Sequence, residues 1–420
     1  MDSRDLVAAI EAVVRREPRR SLAIYLHVPF CASKCHFCDW VVDVPVARLR
    51  STEDDRRGYV DALCRQIRYY GPLLTGLGYR PAVMYWGGGT PTRLNPSEMR
   101  AIAAAIDDGF DRSELVQWSM ETTPNDLTAD KLVAMRELGV NRVSVGAQSF
   151  NPEQLRRSGR AHTAEQTEQA VALLRAHGID NFNLDLISSF PGEALESFRA
   201  TMDRALALDP PHLSIYPYRA TPKTVMAMQL ERSVVAAQTR QRMVNAYELA
   251  MAMLRDAGYH EYCHGYWVRR AEHEDQDGNY KYDLAGDKIG FGSGAESIIG
   301  HHLLWNENHR YRDFLADPLR FSYARPFSLD EPDRLTAPVG GALMTREGVD
   351  YARFARLTGL SFQELRETDY MRQWLAVLAE CGARYLETDT AFRLDPAVIH
   401  ETYITHLAYT MSAGLEPLRA

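Results

Sequence analysis

From Ser21 to Tyr218 short apolar runs alternate with longer segments of helical periodicity. The apolar runs are Leu22–Val28, Ala82–Trp86, Val116–Glu121, Arg142–Gly146, Asn181–Leu186 and His212–Tyr216. They are rich in Val, Ile, Leu, Tyr or Trp, and each predicts a buried strand. Between them, Asp54–Tyr70, Pro96–Asp107, Leu127–Leu138, Ala164–His177 and Leu195–Ala207 carry charges on a 3.6-residue period and predict helices. Six strands alternating with helices predict a parallel α/β sheet. Six units fall short of the eight in a closed barrel. The expected fold is therefore α/β, a partial (β/α)6 TIM-like barrel with a C-terminal mainly α-helical module. After Tyr218 the pattern changes to a helix-rich stretch, Val225–Gly258, and then an irregular region rich in Tyr, Gly, Asp and His, Tyr259–His302. From about Pro326 a small helical module follows, with a short hairpin near Ala383–Leu394. The expected organisation is a helical arm over 1–20, the barrel over 21–220, a substrate-side region over 221–325 and the helical module over 326–420.

Composition adds exclusions. Of 420 residues, 45% are hydrophobic and 25% charged, which excludes a disordered or collagen-like chain. Lys and Arg number 48 against 56 Asp and Glu, a net charge of −8, so binding nucleic acid through a global basic field is not expected. No run of 18 uncharged apolar residues occurs, and no membrane span is expected. The first twenty residues mix both charge signs and lack the apolar core and cleavage site of a signal peptide, which points to the cytoplasm.

The six cysteines carry the first chemistry. Cys31, Cys35 and Cys38 fall in one CxxxCxxC loop after the first strand. Three thiolates can hold three irons of a cubane cluster and leave the fourth open. A structural zinc needs four protein ligands, and His27 or His36 could supply the fourth. A disulfide would leave one cysteine over. Cys64 and Cys381 sit in helical patterns as core thiols, and Cys263 is left open. After the second strand comes Gly87-Gly88-Gly89-Thr90. Such glycines allow close approach of a ligand, and their amides suit an anionic group such as a carboxylate. Glu121, Gln148, Asp185, Tyr216 and Tyr218 fall at the ends of later strands. The C-terminal strand ends of a parallel barrel form its active face. Together these groups suit a cofactor with a zwitterionic head and a ribose.

The CxxxCxxC loop with Phe37 before its last cysteine, GGGTPT, Met120-Glu121 with Pro124, NRVSVGAQSF, the Gly159-Arg160-Ala161-His162 segment and the NLDLI strand closely resemble the radical S-adenosylmethionine (SAM) enzymes. Within them the chain resembles the branch of the oxygen-independent coproporphyrinogen dehydrogenase, from about residue 21 to 220 and more weakly through Ile289–Ser297. The resemblance implies a [4Fe–4S] cluster on Cys31, Cys35 and Cys38, with the open iron taking the amino and carboxylate groups of SAM. It implies that Gly87, Gly88, Gly89 and Thr90 hold the SAM amino group and Glu121 the ribose or amino end. Gln148, Arg160 and Asp185 match positions that contact SAM, and Tyr25 one near the cluster and a second SAM. Gly292 and Ala295 would border a second SAM or substrate pocket. A flavodoxin or ferredoxin would supply the electron.

Three members of the branch compete. The porphyrinogen dehydrogenase has a longer N-terminal arm before its cluster loop. The heme chaperone carries HNxxYW, which aligns with Gly278 to Asp283 and loses its His and Trp there. The run Cys35-His-Phe-Cys38-Asp39-Trp40-Val41 and IGFGSGAES look most like the class C radical SAM methyltransferases of thiopeptide-like natural-product pathways. On this third, favoured reading two SAM molecules are used. A radical from the first takes hydrogen from the methyl group of the second, and the carbon radical adds to an sp² carbon of an aromatic ring. Tyr216, Tyr218, His264 and Glu296 are the candidate bases for the closing proton loss. The substrate would be a small-molecule or peptide-bound aromatic group, with a precursor peptide or carrier protein as partner. Cyclopropane formation is the close variant.

Overall fold

The computed structural model describes residues 7, 8, 11, 20–38, 53–218, 224–228, 232–281, 286–299, 302–305, 311–321, 323–380 and 383–395. Most of the expected N-terminal arm, Asp39 to Val41, Cys381, Tyr282 and Asp283 lie outside them.

The first six strands are β1 (Arg20–Val28), β2 (Tyr79–Gly88), β3 (Gln117–Thr122), β4 (Arg142–Gln148), β5 (Phe182–Ser188) and β6 (His212–Pro217). The helices between them are α1 (Glu53–Gly76), α2 (Pro96–Gly109), α3 (Ala129–Leu138), α4 (Pro152–Arg157), α5 (Ala164–Ala176) and α6 (Leu195–Ala207). Local chemistry sets several starts. Asn95 caps α2 through a reciprocal pair with Glu98, and Pro96 occupies the first turn, where its missing N–H costs nothing. Thr163 and Gln166 form the same box at α5. α1 runs six residues beyond the expected Tyr70, through Pro72 to Gly76. Gly71 and Gly109 explain this: a Cβ at Gly71 would stand 2.8 Å from the Gly109 Cα, so α1 and α2 pack backbone to backbone there.

The chain divides into two compact units, Met1–Leu184 with Gly286–Pro326, and Asp185–Ala285 with Phe327–Ala420. In the first unit β1, β2, β3 and β4 are parallel neighbours. The region Tyr259–His302, expected to be irregular, holds strands: β7 (His260–Cys263), β8 (Tyr266–Val268), β9 (Asp287–Phe291) and β10 (Glu296–Ile299). Their shortness and charged residues hid them. β9 lies parallel beside β1 on its far side from β2. Antiparallel β10, β11 (His302–Trp305) and β12 (Tyr323–Pro326) extend that edge. A buried ion pair fixes β9: Arg20 Nη2 reaches Asp287 Oδ2 at 2.8 Å, and the Tyr79 hydroxyl donates to the same carboxylate at 2.5 Å.

In the second unit β6 pairs with β8 and β8 with β7, both antiparallel. The expected C-terminal hairpin is present as β14 (Tyr385–Glu387) against β15 (Ala391–Leu394), with β13 (Val349–Asp350) on the other side of β15. Helices Tyr351–Thr358, Phe362–Arg366 and Asp369–Glu380 cover it, and Phe362 packs its ring against Phe354 and Phe392 at 5.4 and 5.5 Å. The architecture is the expected α/β fold, a parallel sheet of the partial-barrel type with a mainly helical C-terminal part. No described helix is long and apolar enough to cross a membrane.

Candidate functional site

β1 leads directly into the loop carrying Cys31, Cys35 and Cys38, all three half-buried and in no disulfide. The segment after α4 pins this loop. The His36 N–H donates to Ser158 O at 2.9 Å, His36 Nδ1 lies 2.7 Å from Arg157 O, and Ser33 donates to Gly159 O at 3.4 Å. Gly159 makes the approach possible, since a Cβ there would stand 2.9 Å from the His36 ring. Cys31 Sγ lies 3.8 Å from Thr90 Oγ1, and Arg160 Nη1 donates to Cys35 Sγ at 3.4 Å. Burial pushes the Cys31 thiol up to about 12, and negative charge on Cys38 and Cys35 adds to this against the pull of Thr90 and Arg160. A bound cation reverses that balance, because a coordinating thiol is deprotonated.

Soft thiolates suit iron–sulfur clusters and zinc. Among the described residues no three His, Cys, Asp or Glu side chains close round a single metal ion. Neither histidine considered as a fourth zinc ligand completes such a group among the described residues. His36 is committed to the Arg157 carbonyl, and fully buried His27 lies with its Nδ1 3.3 Å from the Tyr25 hydroxyl.

The glycine turn works differently from its expected amide nest. The Gly89 and Thr90 N–H groups donate to Val28 O and Phe30 O, both at 2.8 Å. Those two amides are spent on holding the turn to the cysteine loop. The glycines serve close approach instead. A Cβ at Gly89 would meet the Val28 and Phe30 carbonyls at 2.8 Å, and Gly88 has φ of 102° with the His27 ring 2.7 Å from its missing Cβ. At Gly87 a Cβ would stand 3.1 Å from the Glu121 carboxyl, so the bare Cα leaves room beside it.

Glu121 is half-buried at the end of β3, and its Oε1 accepts from the Tyr85 hydroxyl at 2.7 Å. Tyr85 stacks on Tyr25 at 6.2 Å, and the Lys288 ammonium stands 5.1 Å over the Tyr25 ring. Tyr85 and Lys288 do not figure among the sequence candidates, and His27 figures there only as a zinc ligand. The placement of Tyr85 and His27 was open to sequence reading, because residues two apart on a strand share a face, and they stand two from Gly87 and Tyr25. At the end of β4, Gln148 takes φ of 65°, an uncommon backbone for a residue with a side chain. Its Nε2 lies 3.0 Å, and Arg160 Nη2 3.3 Å, from where a Gly146 Cβ would be. Arg160 Nη2 donates to Gly146 O at 2.5 Å, and His162 Nε2 lies 3.0 Å from Ala147 O. His162 is 4% exposed, and burial followed by the Arg160 charge pushes its pKa down to about 3, so it is neutral.

The first unit thus gathers Tyr25, Cys31, Cys35, Cys38, Gly87, Gly88, Gly89, Thr90, Glu121, Gln148 and Arg160 on neighbouring strands and the segments that follow them. Gly292 and Ala295, expected to border a second pocket, are buried. The Gly292 N–H is taken by Gln66 and the Ser293 N–H by the Tyr59 hydroxyl, which also donates to His27 O. This turn braces β1 against α1, and these amides are not open to a ligand. Glu296 is exposed on β10, opposite Trp305.

Asp185, Tyr216, Tyr218 and His264 belong to the second unit. Tyr218 is 2% exposed beside Phe190, a core position unsuited to the expected base. His264 is buried with its Nδ1 3.2 Å from the Tyr247 hydroxyl and 3.5 Å from Glu261. Tyr216, 38% exposed, donates to the Tyr266 hydroxyl at 3.0 Å.

A sequence profile of the radical SAM superfamily matches residues 25–205. The chain is 30% identical to the oxygen-independent coproporphyrinogen III oxidase of Salmonella typhimurium over 390 residues, 89% of this chain and 82% of that one. It is 28% identical to the heme chaperone HemW of Bacillus subtilis, over 81% of this chain and 88% of the relative. The solved structure of coproporphyrinogen III oxidase (HemN) from Escherichia coli superposes with TM-score 0.74 at 24% identity, covering 97% of this chain and 94% of that one, which shows a shared fold. These matches overturn the methyltransferase expectation: the relatives matched along most of the chain are an oxidase and a chaperone. The superfamily's cofactors are a [4Fe–4S] cluster and SAM. With 30% identity sustained over 82% of a relative's length, the chain belongs to the radical SAM superfamily, in the branch that holds the oxygen-independent coproporphyrinogen III oxidases and the heme chaperone HemW.

Proposed function

We propose that the protein is a SAM-dependent radical enzyme of the oxygen-independent coproporphyrinogen III oxidase type, acting on the propionate side chains of a porphyrinogen. The observation that carries this is the match to the Salmonella oxidase across 89% of the chain. The altered heme motif, with Gly278 and Asp283 where the chaperone has His and Trp, adds to it.

In this reading Cys31, Cys35 and Cys38 hold the cluster. The donor set fits it: three soft thiols share one loop, a guanidinium bonds one sulfur, and burial of Cys31 disfavours a thiolate without a cation. When bound, the cluster supplies reductive cleavage of SAM, and with it a radical that can take hydrogen from an unactivated C–H. The chain's own residues bind and orient. Glu121, oriented by Tyr85, accepts from a ribose hydroxyl or an amino group in the space that Gly87 leaves. Arg160 offers charge to a carboxylate, and Gln148 offers an amide beside it. Thr90 flanks Cys31.

The test is anaerobic incubation of the reconstituted protein with coproporphyrinogen III, SAM and a reductant. Release of CO2 coupled to 5′-deoxyadenosine supports the oxidase. The match along 88% of HemW favours a second reading as heme chaperone. Tight stoichiometric heme binding with no porphyrinogen turnover would replace the first reading with that one.

A further inference from the structure

Arg160 stands where two elements meet. It follows α4 on the segment Gly159 to His162, and its two terminal nitrogens point to different partners. Nη2 donates to Gly146 O on β4 at 2.5 Å, and Nη1 to Cys35 Sγ at 3.4 Å. The segment is itself clamped. His36 and Ser33 bind the carbonyls of residues 157 to 159, and neutral His162 bonds the Ala147 carbonyl next to Gly146. Arg160 is therefore held as a fixed fork between a strand carbonyl and one cysteine sulfur. A guanidinium is always charged, and its planar fork is pre-organised for two acceptors.

We propose that Arg160 is a positioning residue that sets the reduction potential of the cluster through its hydrogen bond to the Cys35 sulfur. The proposal rests on the reading of Cys31, Cys35 and Cys38 as cluster ligands. Cluster potentials follow net charge and hydrogen bonds to the sulfurs. Reduction adds one negative charge, and a nearby guanidinium stabilises the reduced form more than the oxidised one. Arg160 thus raises the potential and makes the cluster easier to reduce. The effect is present before SAM arrives, which separates it from any contact of Arg160 with SAM.

The experiment is anaerobic potentiometric titration, read by electron paramagnetic resonance, of the reconstituted full chain without SAM. Wild type, Arg160→Gln and Arg160→Lys are compared, with iron content and circular dichroism measured on each. Arg160→Gln is expected to lower the ratio of reduced to oxidised cluster at fixed poise about tenfold, which is about 59 mV for one electron. Arg160→Lys keeps the charge and loses the fork, and its shift is expected to be smaller. Loaded, folded variants with wild-type potentials overturn the proposal. Folded variants that both fail to load iron also overturn it, because Arg160 then builds the loop and does not tune it. A wild-type chain that takes up no iron would instead remove the cluster reading beneath it.

Discussion

At Gly88 the backbone takes φ of 102°, and the His27 ring occupies the space a side chain would need. Gly88→Ala is expected to lose about 1–3 kcal/mol of stability from the strained backbone alone. Urea unfolding measures this, and a midpoint equal to wild type would show that the turn relaxes freely. Glu121 is oriented by the bond it accepts from Tyr85. Glu121→Gln is expected to weaken SAM binding by about 1.5–3 kcal/mol, the range for a hydrogen bond to a charged group. Tyr85→Phe removes only the orienting bond and should cost less; equilibrium dialysis of SAM ranks the two. His162 makes a pH prediction. Its pKa falls from 6.5 to about 3 on folding, so between these values the unfolded chain binds a proton that the folded chain refuses. Stability therefore drops as pH falls through that window, by up to about 1.4 kcal/mol per pH unit. His162→Phe should flatten the profile between pH 6 and 4, and parallel profiles for the two proteins would contradict the assignment. The ligand types at these positions were legible in the sequence, because CxxxCxxC and GGGT are local. Their reasons were not, since the partners of Gly88, Glu121 and Arg160 stand 61, 36 and 125 residues away, at His27, Tyr85 and Cys35.

Among the elements, β9 shows where reading the chain fails. Its five residues, Asp287-Lys-Ile-Gly-Phe, open with two charges and resemble a loop. The Asp287 charge is tolerable only because Arg20 and Tyr79 meet it in the core, and Arg20 lies 267 residues away. The longer strands β1 to β6 were legible because burial on both faces demands continuous apolar runs. Their ends differ from the expected ones by at most three residues, as with β2, which begins at Tyr79, whose hydroxyl meets Asp287. Asp287→Asn is expected to cost about 3–5 kcal/mol, because it leaves a buried guanidinium without its counter-charge. An Arg20→Met, Asp287→Leu double variant should lose less than the sum of its singles. Denaturation midpoints decide this, and strict additivity would show that the pair does not act as a unit.

On the scale of the whole chain, the family lies in long-range agreement more than in short motifs. The run from Cys35 to Val41 and IGFGSGAES suggested a methyltransferase, yet 390 aligned residues point to the oxidase and chaperone branch. The physical reason is that a cluster loop and a SAM turn answer to the cofactor, which the superfamily shares. Substrate choice is spread over many positions. Net charge of −8 and the absence of a long apolar helix among the described residues leave that choice untouched. The proposed role of Cys31, Cys35 and Cys38 is to carry a SAM-cleaving iron–sulfur cluster. It is tested most directly by metal analysis and electron paramagnetic resonance of the anaerobically reconstituted protein beside its Cys35→Ala variant. About four irons per chain, a reduced-cluster signal that changes when SAM is added, and loss of both in the variant are expected. Stoichiometric zinc without iron, or equal cluster loading in Cys35→Ala, would contradict it.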